Sequence, residues 1–141
     1  MGNRAVITAS GSHTKGIGIY LHWNGGLESV LAFLDVAKAR GFRCPKSDES
    51  YGMARLCGLI HEFFGVTEDT SLGIGTLDQL DCDNWDNGVY VIGKDWALAD
   101  RWGKGSSPRS DEAILAARSS KQYKGIVEQL TIKPVDTAST N

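Results

Sequence analysis

The chain has little of several things, and each shortage excludes a class of protein. Its 141 residues include three cysteines and three prolines, and its formal net charge is −2. Three widely spaced cysteines do not make a disulfide framework and are typical of a reducing, cytoplasmic compartment. The lack of excess positive charge excludes general nucleic-acid binding, which depends on neutralising phosphates. No apolar run approaches about 18 residues, so the sequence predicts no membrane span and no signal peptide.

What is present is the composition of an ordinary globular domain. Apolar residues make up 41% of the chain and charged residues 23%. A chain of this length buries enough surface to fold without metal or disulfides. We therefore expect a single domain over residues 1–133, followed by a polar, flexible tail over residues 134–141.

Hydrophobic spacing predicts a mixture of strands and helices. Strands are expected at residues 6–7, 17–21, 71–77, 89–92 and 125–132, and helices at 27–40, 47–64 and 110–119; residues 96–102 fit a strand or a short helix. The order shows no regular alternation of strand and helix. We therefore expect an α+β fold, an antiparallel β-sheet with two to three helices packed on one face.

A metal site is the first chemistry to test. Cys57 and His61 are four residues apart on one expected helix, and Cys44 and Cys82 are available to complete a set of ligands. Cys57 also lies on the apolar stripe of that helix, where a free cysteine packs as a small hydrophobic residue. The acidic run 81–88 lacks the ligand spacing of a calcium loop. The sequence therefore predicts no metal site.

Signatures of catalysis are also missing. There is no G-x-S-x-G elbow, and Gly103–Ser107 matches only part of a phosphate-binding loop. Acidic residues are scattered over turns and helix starts, so no carboxylate pair is assigned. We expect a non-catalytic protein with no cofactor.

Basic residues are grouped around one pliable segment. Arg101, Lys104 and Arg109 flank or lie within the glycine- and serine-rich stretch 103–108. Arg109 also immediately precedes the capping residue of an expected helix, where backbone N–H groups favour anions. Because guanidinium groups bind phosphates bidentately, this grouping predicts an anion site. The alternative is that each arginine is a solvated surface residue.

Two further residues have alternative interpretations. Trp23 follows a strand, where it either covers the core or forms a stacking surface for a nucleobase. Arg55 lies on the face of the second helix away from the apolar stripe, where it either binds an anion or is solvated.

Four segments carry a family resemblance: NRAVIT, GIGIYLHWNGG, SYGMARLCGLI and CDNWDNGVYVI. Over residues 3–120 they resemble small phage-encoded anti-defence proteins, specifically the anti-Thoeris signal-sponge family. The resemblance implies a homo-oligomer in the host-cell cytoplasm that sequesters cyclic ADP-ribose-type messengers and, in some members, cyclic oligonucleotides. It implies pockets at subunit interfaces lined by arginines and aromatic residues, with matching positions at Arg55, Asn87, Arg109 and Arg118. Leu59, which lies off the apolar stripe, is a candidate interface residue.

Two other functions stay open at this point. One is a protein-directed inhibitor of a host defence nuclease, such as an anti-CRISPR protein, in which the acidic segment Asp78–Asp86 imitates phosphates. The other is an enzyme that modifies a nucleotide. The first predicts a stable protein complex and the second predicts an altered ligand, whereas a sponge returns its ligand intact.

Overall fold

The computed structural model describes residues 2–65 and 71–131, which form an α+β fold. The strands are β1 (Ala5–Thr8), β2 (Ile17–Leu21), β3 (Leu72–Thr76), β4 (Val89–Ile92) and β5 (Leu98–Trp102). The helices are α1 (Leu27–Ala39), α2 (Glu49–Phe64), α3 (Asp111–Arg118) and α4 (Lys121–Thr131), and a single 3₁₀ turn covers Lys94–Trp96. The segment 96–102, expected as a strand or a short helix, thus contains the end of that turn followed by β5.

The sheet is mixed rather than purely antiparallel. Its order is β3-β2-β1-β4-β5, and the central β1–β4 pair is parallel while the other three pairs are antiparallel. The expectation of an antiparallel sheet is therefore wrong at its centre. The reason is the connection between β3 and β4, two strands that run in the same direction on opposite sides of the β1–β2 pair. Residues 77–88, called the crossover here, pass over the sheet to join them, as a parallel arrangement requires.

Each face of the sheet has a different cover. The helices cover one face, and Ile7, Ile19 and Tyr90 are fully buried beneath them. On the other face Val6 and Val89 pack with residues of the crossover, among them Leu77. The expectation that the helices lie on one face is confirmed.

Local capping chemistry places two helix starts where the sequence predicts them. The Asp48 side chain accepts a hydrogen bond from the Tyr51 backbone N–H (3.2 Å), and the Ser110 hydroxyl accepts one from the Ala113 N–H (3.2 Å). At the other end of α1, Gly41 has φ +76°, the left-handed conformation that glycine adopts most easily after a helix.

Two sequence expectations are corrected by the packing. The strand expected at 125–132 is wrong, because residues up to Thr131 form α4 and bury Ile126 and Leu130 among the helices. The helix count accordingly rises from two or three to four within the described residues.

Leu59, expected at a subunit interface, is 2% exposed and belongs to the chain's own core. The tail 134–141 lies outside the described residues.

In the part of the chain that the structure describes, no helix combines the length and the apolar character needed to cross a bilayer.

Candidate functional site

An open pocket of about 320 Å³ lies where the starts of α1 and α3 meet β5 and the end of the crossover. Its lining includes Gly26, Glu28, Asn87, Arg101, Arg109 and Ser110. We call it the Arg101 pocket. It brings together residues from four separated parts of the chain, and two of them, Asn87 and Arg109, were predicted as ligand-binding residues from the sequence.

Arg101 is the distinctive residue of this pocket. Its guanidinium lies 4.1 Å above the Tyr90 ring, and its Nη2 donates a hydrogen bond to the Asn87 carbonyl at 2.6 Å. Its Nε is buried without a hydrogen-bond partner among residues 2–65 and 71–131, and no carboxylate in those ranges forms an ion pair with it. Burial lowers the pKa of Arg101 from its ordinary value. This partly buried cation therefore forms no ion pair with the described residues, and the Glu28 and Asp86 carboxylates line the same pocket.

Tyr90 connects Arg101 to the start of α1. Arg101 and Tyr90 are opposite each other in the β4–β5 pair, so they share the face of the sheet that the helices cover. The Tyr90 hydroxyl donates to the Gly25 carbonyl at 2.7 Å. Burial raises the pKa of Tyr90 to about 12, so the hydroxyl stays protonated and able to donate well above neutral pH.

The start of α1 adds backbone donors. Gly26 occupies the N-cap position and provides no side-chain cap. The first helical hydrogen bond comes from the Val30 N–H to the Gly26 carbonyl. The N–H groups of Leu27, Glu28 and Ser29 in this first turn therefore have no carbonyl partner within the helix, and such groups at a helix start favour anions. The Glu28 carboxylate lines the same pocket and makes its charge mixed.

Arg109 is already partnered within the chain. Its Nε donates to the Leu98 carbonyl at 2.6 Å, and its Nη2 forms a 2.8 Å ion pair with Asp111. Its side chain is 35% exposed. Arg109 thus holds the segment before α3 against β5, and its charge is partly balanced before any ligand binds.

Asn87 organises the end of the crossover. Its Nδ2 donates to the Asn3 side-chain oxygen at 2.6 Å and to the Arg4 carbonyl at 2.9 Å. Asn87 precedes β4 at the end of the crossover, and these two hydrogen bonds tie the N-terminal segment to that position.

Arg118 lines a neighbouring groove of about 280 Å³ together with Arg109, rather than the Arg101 pocket. It forms a bidentate pair with Asp35 at 2.9 and 3.0 Å. The hydrogen bond to Asp35 raises the pKa of Arg118. Arg118 therefore joins α3 to α1.

The other three predicted ligand residues lie outside the Arg101 pocket. The Arg55 guanidinium lies 5.2 Å from the Tyr51 ring centre. Trp23 is 39% exposed and packs edge-on against His22. The Lys104 ammonium lies 5.2 Å from the Trp85 ring centre. The structure therefore gathers two of the six predicted residues into one pocket.

The sequence places Arg101 in a basic group, but it does not predict that the Arg101 Nε is buried or that the guanidinium stacks on the Tyr90 ring. The signal was the pairing of Val89–Ile92 with Leu98–Trp102, which places Tyr90 opposite Arg101. The start of α1 gave no sequence signal for the pocket, because it is distant along the chain.

Metal and thiol chemistry have no assembled site in the described ranges. No group of three histidine, cysteine or acidic side chains there is placed to hold a metal ion. Cys57 and Cys82 are free thiols whose pKa values are raised by burial. Cys44 is also free, and its Sγ donates to the Gly93 carbonyl.

Comparison with protein-family models, with curated proteins and with solved structures finds no match to this chain.

Proposed function

We propose that this protein is a non-catalytic binding protein that sequesters a small anionic ligand of nucleotide type in the Arg101 pocket. The observation that carries the proposal is the Arg101 guanidinium, which is partly buried and forms no ion pair with the described residues. Cyclic ADP-ribose-type messengers, and more broadly cyclic oligonucleotides, are the ligands that the family resemblance implies.

The charge of Arg101 is the first reason to expect an anionic ligand. A buried cation is destabilising unless a counter-ion and hydrogen bonds compensate it. A phosphate oxygen near Arg101 would provide the counter-charge. Hydrogen bonds between charged partners are about twice as strong as neutral ones. The unsatisfied N–H groups at the start of α1 favour the same kind of ligand.

The size of the pocket bears on the ligand. A volume of about 320 Å³ is at the small end of the range for small-molecule sites. A cyclic dinucleotide is too large for such a site to enclose, so much of the ligand would stay exposed on a single chain. Tight sequestration requires near-complete enclosure, which a second copy of the chain would provide. This agrees with the homo-oligomer that the resemblance implies.

The test is calorimetric titration of cyclic ADP-ribose and of a cyclic dinucleotide into the wild type and two matched variants. We expect Arg101→Gln to weaken binding by about 100-fold, the loss of one charge-assisted contact in a desolvated site. Arg55→Gln removes the same charge from a position outside the pocket and should leave affinity unchanged.

Three results separate this proposal from its alternatives. Recovery of intact ligand after denaturing the protein supports sequestration, whereas an altered ligand shows an enzyme. No binding of either probe by the wild type contradicts the ligand class. Loss of binding in Arg55→Gln but not in Arg101→Gln contradicts the site.

One observation favours the second candidate, an inhibitor that acts on a host protein. Trp85, in the acidic crossover, is 70% exposed, and exposed aromatic residues often dominate the energy of protein interfaces. Arg4 pairs with Asp81 and Asp86, however, and reduces the negative charge available to imitate phosphate. Purified wild type should then retain one stoichiometric host protein, and Trp85→Ala should lose it. Retention of no such partner contradicts this candidate.

A further inference from the structure

We infer that the outer edge of β3 pairs with β3 of a second copy of the chain about a two-fold axis, joining two five-stranded sheets into one. This surface is separate from the Arg101 pocket, and the inference does not rest on the proposed function. The feature behind it is the row of backbone groups that β3 directs away from β2.

The register of β2 and β3 shows which groups these are. The His22 N–H bonds to the Ser71 carbonyl at one end of the pair, and the Leu77 N–H bonds to the Gly16 carbonyl at the other. Antiparallel pairing alternates, so Gly73 and Gly75 direct their N–H and C=O groups toward β2. The residues that direct theirs away from β2 are Leu72, Ile74 and Thr76. Among the described residues, one of these outward-facing groups is already bonded: the Thr76 carbonyl accepts a hydrogen bond from the Gln79 N–H.

The chemistry of this edge is unprotected. The sequence Leu72–Thr76 (LGIGT) contains no charge and no proline, and Ile74 is 60% exposed. Natural proteins shield free edges with charges, prolines, bulges or covering segments, because unpaired edges associate.

The opposite edge of the sheet, β5, has these protections. It carries Asp100 and Arg101, and a register shift interrupts its pairing between Val91 and Ile92. The Arg109 side chain also covers the Leu98 carbonyl. Among the described residues, the sheet thus shields its β5 edge and leaves its β3 edge without such protection, which argues that the β3 edge has a partner.

The strand itself favours a second copy as that partner. Its sequence is nearly symmetric about Ile74, so an antiparallel two-fold centred there places Gly73 opposite Gly75 and Leu72 opposite Thr76. Backbones approach most closely at pairs without hydrogen bonds, and glycines occupy those positions. The arrangement forms about six new backbone hydrogen bonds.

Charge and apolar contact agree with this symmetry. A two-fold axis brings every charge near it close to its own copy, and β3 has no charge to repel. Ile74 lies opposite the buried Ile19 in the β2–β3 pair, on the helix side of the sheet. Across the axis the two exposed Ile74 side chains would cover each other.

Amide hydrogen exchange measured by NMR at about 20 μM and about 1 mM tests the pairing directly. A pair of five-residue strands buries less than a standard interface of about 1,600 Å², so we expect weak, concentration-dependent association. The amides of Leu72, Ile74 and Thr76 should become at least about tenfold better protected at the higher concentration. Those of Gly73 and Gly75 should be protected at both, because they bond to β2.

Variants locate the interface. Ile74→Pro removes an N–H that faces away from β2, so the fold should persist while the dimer is lost. Ile74→Lys places two like charges at the axis and should also give a monomer in sedimentation analysis. Leu115→Lys is the matched control, since Leu115 is 68% exposed on α3, and it should remain dimeric.

Each contrary result overturns the inference. A wild type that is monomeric at both concentrations shows that the edge does not self-associate. Protection of Leu72, Ile74 and Thr76 that is equal at both concentrations shows that their own chain covers them. A dimer that survives both Ile74→Pro and Ile74→Lys, with folding confirmed by NMR, uses another surface.

Discussion

At the scale of single residues, Arg101 combines a stacking contact with an unbalanced charge. Its contact with Tyr90 and its bond to the Asn87 carbonyl hold the guanidinium in place before any ligand is present. Burial of its Nε without a partner opposes folding. In the proposed function, this cost in stability accompanies a site for an anionic ligand.

Arg101→Met should therefore stabilise the ligand-free protein. Methionine keeps apolar contact with the Tyr90 ring and removes the unpaired charge, so we expect the free energy of unfolding to rise by about 1 kcal/mol. Urea denaturation at pH 7 measures the change. A decrease of the same size would show that the guanidinium is a structural group.

At the scale of elements, one acid on α1 joins two helices to it. Asp35 accepts a bidentate pair from Arg118 of α3 and a hydrogen bond from the Tyr123 hydroxyl of α4. Burial, together with this carboxylate, raises the pKa of Tyr123 to about 12, so the hydroxyl is a donor at neutral pH. The cluster fixes α3, and through it the segment that carries Arg109.

Arg118→Ala should therefore act on stability rather than directly on ligand binding. The Arg118 side chain is 41% exposed, which limits the expected loss to about 1 kcal/mol of unfolding free energy. Tyr123→Phe should give a loss of similar size through the same carboxylate. Thermal denaturation and ligand titration of both variants check this. A large loss of affinity in Arg118→Ala, with the stability unchanged, would instead assign Arg118 to the ligand.

Short-range signals account for much of what the sequence predicted at this scale. The starts of α2 and α3 follow from Asp48 and Ser110, which cap the N–H groups three residues away. The strand predicted at 125–132 was wrong because Gly125 and the β-branched Ile126 favour a strand locally, whereas residues 125–131 are part of α4. Packing against α1, which no local pattern reveals, decides the outcome. The Arg101 environment likewise depends on a strand pairing and on a distant turn at Gly25.

At the scale of the whole molecule, Arg4 joins β1 to the crossover. Its backbone N–H and its Nε both donate to the Asp86 carboxylate, at 3.0 and 2.8 Å. The side-chain hydrogen bond from Arg4 lowers the pKa of Asp86, and Arg40 lowers that of Glu62 in the same way. A lowered carboxyl pKa contributes stability above its ordinary value near about 4, and this stability is lost as the pH falls through the lowered pKa.

Acid should therefore weaken the fold partly through these two carboxylates. Asp86→Asn should destabilise the protein at pH 7, and its difference from the wild type should shrink at acid pH, as the pH falls through the lowered pKa of Asp86 and the wild-type carboxylate becomes protonated. Urea denaturation at neutral and at acid pH gives the comparison. An equal difference at neutral and acid pH would contradict the ion-pair explanation.

The parallel pairing of β1 with β4 also affects how fast the chain folds and when its sheet forms during synthesis. Val6 pairs with Val89, so the centre of the sheet joins the beginning of the chain to a segment made much later. Contacts that are distant in sequence slow folding, because a long loop must close before they form. At about 5 to 20 residues per second, the nascent β1 waits on the order of ten seconds for its partner. Until β4 emerges, β1, β2 and β3 form at most a three-stranded antiparallel sheet whose β1 edge is open, and the sheet is completed only after β4 and β5 have emerged.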